Sequence, residues 1–174
     1  MSISVNLGEL IEYTDWDRGK WYDLFHQQGN SVLTISVGPH GDGRFQTAGD
    51  VVRHIFSAEK RYVERLSNRP LTDTSSVSNS NVDALFLFGR QSREDLKEFV
   101  KTFPARHWDA PVEFSLMNSS LKATPRKIVV HTLLHEIRHW AQIGTLLRLN
   151  GLKVEFRDIL FSPVMGGEFK RQAS

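Results

Sequence analysis

The chain has 174 residues, 40% hydrophobic and 24% charged, the proportions of a globular protein with a core rather than a disordered one. Its 22 basic and 20 acidic residues leave a formal net charge of +2, and without a Lys/Arg run they argue against nucleic-acid binding. Cysteine is absent, which excludes disulfides, thiolate metal ligands and a cysteine nucleophile.

The opening segment, MSISVNLGELIEY, carries acids early and no basic stretch followed by an apolar one, so it is not read as a signal peptide. No apolar run approaches the roughly 20 residues of a membrane span. The expectation is a soluble, cytoplasmic protein of one domain covering residues 1–174. The first predicted helix covers 7–28, where Leu10, Ile11, Trp16, Trp21, Leu24 and Phe25 recur at helical spacing. A loop at 37–46 follows, punctuated by Gly38, Pro39, Gly41 and Gly43. Thr47 and Asp50 have the spacing of a capping box and open a second helix whose buried side is Val51, Ile55, Ala58, Tyr62 and Leu66. Residues 67–81 are polar and read as a flexible loop. A third helix spans 82–103 with Leu85, Leu87, Phe88, Leu96, Phe99 and Val100 as its apolar residues, and Pro104 stops it. Weak alternation over 110–123 suits a short hairpin or an extended connection. The fourth helix has Thr124 as N-cap, Pro125 at its first position and Gly151 just past its end. The tail, 152–174, looks irregular, and Ile159, Leu160, Phe161 and Val164 are expected to cover the end of the bundle. Long helices with longish polar connections predict an all-α four-helix bundle with a crossover.

The chemistry concentrates in the fourth helix. His131, His135, His139 and Gln142 fall on one stripe, because positions three or four apart lie one above another. Imidazoles at His135 and His139 can both reach one ion at about 2.0–2.1 Å. Two ligands rarely suffice, and His54, on the buried side of the second helix, is the third candidate. Three neutral imidazoles would leave one or two coordination positions open. His131 reads as a supporting or core residue one turn away. Tyr62, about two turns beyond His54, either lines the pocket or packs in the core. His26, His40 and His107 default to the surface. Arg138 and Arg61 read first as surface charges, with bidentate recognition of an anionic substrate group as the alternative.

The segment His135-Glu136-Ile137-Arg138-His139 also matches H-E-x-x-H, the helix of zinc peptidases. The extended form of that motif fails, because Gln142 stands at its Gly position and Thr145 at its third His. Glu155 or Glu168 would have to be a downstream ligand, and neither lies in a convincing helix. Glu136 is left as a base near the metal or, on the simpler reading, a solvated helix residue.

Three stretches resemble the DinB/YfiT-like superfamily of metal-binding four-helix bundles: YTDWDRGKWYDLF at 13–25, VVRHIFSAEKRYVERL at 51–66 and HTLLHEIRHWAQIGTLLRLNG at 131–151. The resemblance implies the ligands His54, His135 and His139, a divalent ion (zinc, nickel or iron) and, for members of known activity, transfer or isomerisation with a low-molecular-weight thiol. The family often has a second His before the last ligand, where this chain has Arg138. Where members commonly carry Arg-Gly after the last His, this chain has Trp140 and Ala141. The expected function is a metal-dependent transferase acting on a small molecule with a thiol cosubstrate. A metal-dependent hydrolase and a non-enzymatic stress-response bundle with a structural metal are the alternatives. Homodimers are frequent in the family; no nucleic-acid or membrane partner is expected.

Overall fold

The computed structural model describes residues 5–38, 43–116 and 118–166. Four helices carry the architecture: α1 (Leu7–Gln28), α2 (Ala48–Leu66), α3 (Val82–Thr102) and α4 (Pro125–Leu149). Each starts where a polar side chain satisfies backbone N–H groups that have no helical acceptor. Asn6 and Glu9 form a capping box on α1, as do Thr47 and Asp50 on α2. Asn81 caps α3 and Thr124 caps α4, with Pro125 at the first turn. At the far end of α4, Gly151 (φ 79°) takes the left-handed conformation. Its N–H then donates to the Arg148 carbonyl and that of Leu152 to Leu147, both at 3.0 Å, in a Schellman closure.

Helices α1 and α2 each pack against both α3 and α4. The chain therefore crosses the bundle between α1 and α2, and again between α3 and α4. A two-stranded antiparallel hairpin, β1 (Val112–Leu116) and β2 (Ser119–Ala123), precedes α4, with Val112 opposite Ala123 and Leu116 opposite Ser119. Asn118 supplies the positive φ (61°) that its tight turn requires.

The apolar interior forms two clusters, one around Trp21, Phe25, Phe56, Phe86 and Trp140, the other around Ile11, Val63, Leu96, Phe99 and Leu133. Between them each helix contributes a buried charged residue to one connected group: Arg18, Glu59, Arg93 and Glu136. Arg18 donates to Glu136 through Nε (2.5 Å) and Nη2 (2.8 Å), and Arg93 Nη2 donates to Glu136 at 2.7 Å. Glu59 accepts from Arg93 Nε at 2.9 Å and lies 3.0 Å from Arg18 Nη2. Two guanidinium groups and two carboxylates thus form a neutral layer tying all four helices together. Gly89 belongs to the same place. Its carbonyl accepts from Arg18 Nη1 at 2.9 Å, and a Cβ there would sit 2.8 Å from the Phe56 ring.

Three expectations need correction. Leu87 is half exposed, and the buried face of α3 is carried by Leu85, Phe86, Gly89, Ser92, Arg93, Leu96 and Phe99, a 3–4 spacing that passes Leu87 by. The segment 67–81 is fastened to α2: Asn79 donates to Asp50 (2.7 Å), Arg53 to the Val77 carbonyl (3.2 Å) and the Thr72 N–H to Glu64 (2.9 Å). In the tail, Val164 is buried but Ile159 and Leu160 face solvent. The tail is held instead by the Tyr13 hydroxyl, which donates to the Arg157 carbonyl at 2.7 Å, and by the Arg157 guanidinium lying 4.1 Å over the Trp21 ring.

Candidate metal centre

The helical stripe of α4 and the inward side of α2 meet at three imidazoles. His54 Nε2 and His139 Nε2 each lie 3.1 Å from His135 Nε2, and one nitrogen from each ring falls within 4.8 Å of the others. Ligands at about 2.05 Å on a tetrahedral ion stand about 3.3 Å apart, and at right angles about 2.9 Å. The observed spacing lies between these values. Hydrogen bonding accounts for it poorly, because a ring nitrogen offers one proton or one lone pair, and His135 Nε2 would have to serve both neighbours. A cation held among the three rings would take one lone pair from each.

Protonation agrees with this arrangement. His139 Nδ1 lies 2.6 Å from Gln142 Oε1. An amide oxygen only accepts, so the proton sits on Nδ1 and the Nε2 lone pair faces the cluster. Burial, reinforced by the charges His139 and His54 would carry, pushes the His135 pKa down to about 3, which keeps this imidazole neutral. His139 is 1% exposed. Phe45 closes one side, its ring centroid 4.8 Å from that of His54 and 6.1 Å, edge-on, from that of His139.

Glu136 requires the largest correction. It is 2% exposed and accepts from Arg18, Arg93 and the Trp140 indole N–H (3.0 Å). Burial alone would raise its pKa, but the two guanidinium groups hold it below the usual carboxylate range. It is neither a solvated residue nor a base facing the imidazoles. The i+1 position after His135 turns it roughly 100° away around the helix, toward α1 and α3. The H-E-x-x-H resemblance is thus a coincidence of a metal stripe and an ion-pair stripe on one helix.

His131 is exposed, with its ring 5.6 Å from that of His135; burial, Arg138 and Lys127 lower its pKa. Tyr62 is half-buried, edge-on to His131 at 5.7 Å and to Phe114 at 6.4 Å, so it stands beyond His131 rather than against the three-imidazole group. Arg138, Arg61, His26, His107 and Glu155 are exposed; His40 and Glu168 lie outside the described residues. Sequence reasoning missed Phe45, which comes from a Gly-rich loop without periodicity, and the ionic layer. The layer did leave a signal: Arg18, Glu59 and Arg93 occupy helical positions flanked three or four residues away by core apolar side chains.

A model of the DinB family matches residues 1–168 of this sequence, nearly the whole chain and all three imidazoles. The chain belongs to the DinB family. A comparison with curated proteins finds no match. The DinB proteins are metal-binding, and in this member His54, His135 and His139 form a group that could hold a metal ion. Among the described residues, no helix of this DinB protein is long and apolar enough to cross a membrane.

A pocket of about 640 Å³ continues the α2–α4 groove past the imidazoles. Val51, one turn before His54, and Ile143 and Leu146, beyond His139, give it apolar walls, while Phe45 and Gln142 are shared with the imidazole group. Arg138 stands on its edge.

Proposed function

We propose that this DinB protein is a divalent-metal-dependent transferase that uses a low-molecular-weight thiol as cosubstrate. One observation carries the reading: all three convergent side chains are imidazoles, which bind a cation only in their uncharged form, and no carboxylate joins them among the described residues. A divalent ion held by neutral ligands keeps its full charge, and when bound it supplies the field that lowers the pKa of a thiol or a water at an open position.

The chain's own residues fit a thiol better than a hydrolytic water. Glu136, the one carboxylate that sequence placed near the site, is locked between Arg18 and Arg93 and cannot serve as a general base. A thiol, already far more acidic than water, needs no such base. The chain has no cysteine, so the thiol must come with a cosubstrate. Gln142 orients His139, and Phe45 shields the His54 and His139 rings from solvent on one side.

The test is direct. The zinc-, nickel- or iron-loaded protein is mixed with a small thiol, and thiolate absorbance is followed against pH, beside His135→Ala. A thiol pKa lowered only with the wild-type protein supports the reading. Ester or amide hydrolysis without thiol, with an unshifted thiol pKa, overturns it in favour of a hydrolase.

A further inference from the structure

The pocket beside the imidazoles has a polarity that names a ligand. Its walls are mostly apolar, and among the described residues that line it the one formal charge is Arg138, which forms no ion pair with any described carboxylate. From Arg138 to Leu149, both on the pocket, α4 advances about 16 Å at about 1.5 Å per residue. The charge sits at the end nearest His135 and His139, and the far end is Leu146 and Leu149. An apolar groove with a single guanidinium at one end is complementary to an amphipathic acid.

We propose that the second substrate is a carboxylic acid with an apolar aliphatic or aromatic body, its carboxylate paired with Arg138 and its body lying along Ile143, Leu146 and Leu149. The inference rests on the proposed metal-dependent reading for the reaction, but the binding step belongs to the chain's own residues. Because Arg138 immediately precedes His139, the carboxylate lies at the imidazole end of the pocket. The carbon that reacts is therefore within a few bonds of the carboxylate, while the apolar tail extends away. Arg138 acts here as a specificity-determining residue. Its fork can take both carboxylate oxygens, which a lysine cannot reproduce. Thr145 sits midway along the pocket and is exposed, so a large side chain there would fill the seat of the body without touching the core.

Isothermal titration with 4-phenylbutyrate, 4-phenylbutyramide and propionate tests the assignment, on metal-free and zinc-loaded protein. The acid is expected to bind roughly ten- to a hundredfold more tightly than the amide in both forms, the range of a charge-assisted hydrogen bond. Propionate, with no body to bury, is expected to bind far more weakly. Arg138→Gln should abolish the preference for the acid while metal content stays at the wild-type level, and Thr145→Trp should remove binding of acid and amide alike. A preference that survives Arg138→Gln, or that vanishes when zinc is removed, assigns the anion to the metal and overturns the proposal. Equal binding of propionate and phenylbutyrate overturns it too. If the wild type takes up no metal yet shows an Arg138-dependent preference, the assignment of Arg138 stands and the metal-dependent function falls.

Discussion

Replacing Glu136 with Gln removes one charge from the centre of the bundle and leaves Arg18 and Arg93 with Glu59 as their one fully buried carboxylate, Asp15 pairing with Arg93 at 2.8 Å from the more exposed rim. The geometry sets the cost. Oε1 of Glu136 accepts from Arg18 Nε and Trp140 Nε1, and Oε2 accepts from Arg18 Nη2 and Arg93 Nη2. Whichever way a glutamine amide turns, its NH2 meets two donors and no acceptor, and a layer in which Arg18, Arg93 and Glu59 are all buried loses one of its two buried negative charges, with only the partly exposed Asp15 beside Arg93 to offset it. Breaking a buried ion pair from one side costs about 3–5 kcal/mol, equivalent to a fall in Tm of roughly 6–20 °C for a chain of this size. Urea denaturation followed by circular dichroism measures it. Adding Arg18→Met restores neutrality, since Arg93 and Glu59 remain paired at 2.9 Å. The double variant should therefore lose less than the sum of the single variants by at least about 1 kcal/mol. A loss below about 1 kcal/mol for Glu136→Gln, or additive single variants, would refute the neutral-layer reasoning.

Other outcomes follow from the same structure. Gln142→Ala releases the His139 ring from its acceptor, and zinc affinity measured by competition with a chelator should weaken about 10- to 100-fold, with the fold unchanged. Asp17 is buried, and burial, opposed by Arg157 and reinforced by Glu136, raises its pKa to about 7. An acid whose folded pKa is raised above its unfolded value binds its proton more tightly when folded, so the chain loses stability as pH rises from about 4 to 7. Asp17→Asn removes that loss: relative to wild type it should gain stability at pH 8, at most about 4 kcal/mol, and the gain should shrink by pH 5. Denaturant midpoints at the two pH values check it, and a pH-independent difference would count against the assignment.

The helices were legible in the sequence because caps, proline and glycine act locally: Thr47, Thr124, Pro125 and Gly151 each sit where their backbone chemistry demands. The imidazole group was legible for a related reason, since four-residue spacing on one helix fixes His135 and His139 as neighbours whatever surrounds them. Glu136 shows what spacing alone conceals. A charged residue beside two ligands looks solvated until its partners are known, and those partners, Arg18 and Arg93, lie 118 and 43 residues away in the chain. The fastening of residues 67–81 was hidden similarly: a polar composition suggests mobility, but Asp50, Arg53 and Glu64 of α2 provide what those polar groups bind. Phe45 carried no periodic signal at all, and only the fold brings it onto His54.

The central claim, that His54, His135 and His139 hold one divalent ion, is tested most directly by elemental mass spectrometry of untagged protein beside the triple alanine variant. The account predicts about one equivalent in the wild type and none in the variant, because the chain offers no other described group of this kind. No metal in the wild type after reconstitution with zinc, nickel and iron, or equal metal in both proteins, would contradict it.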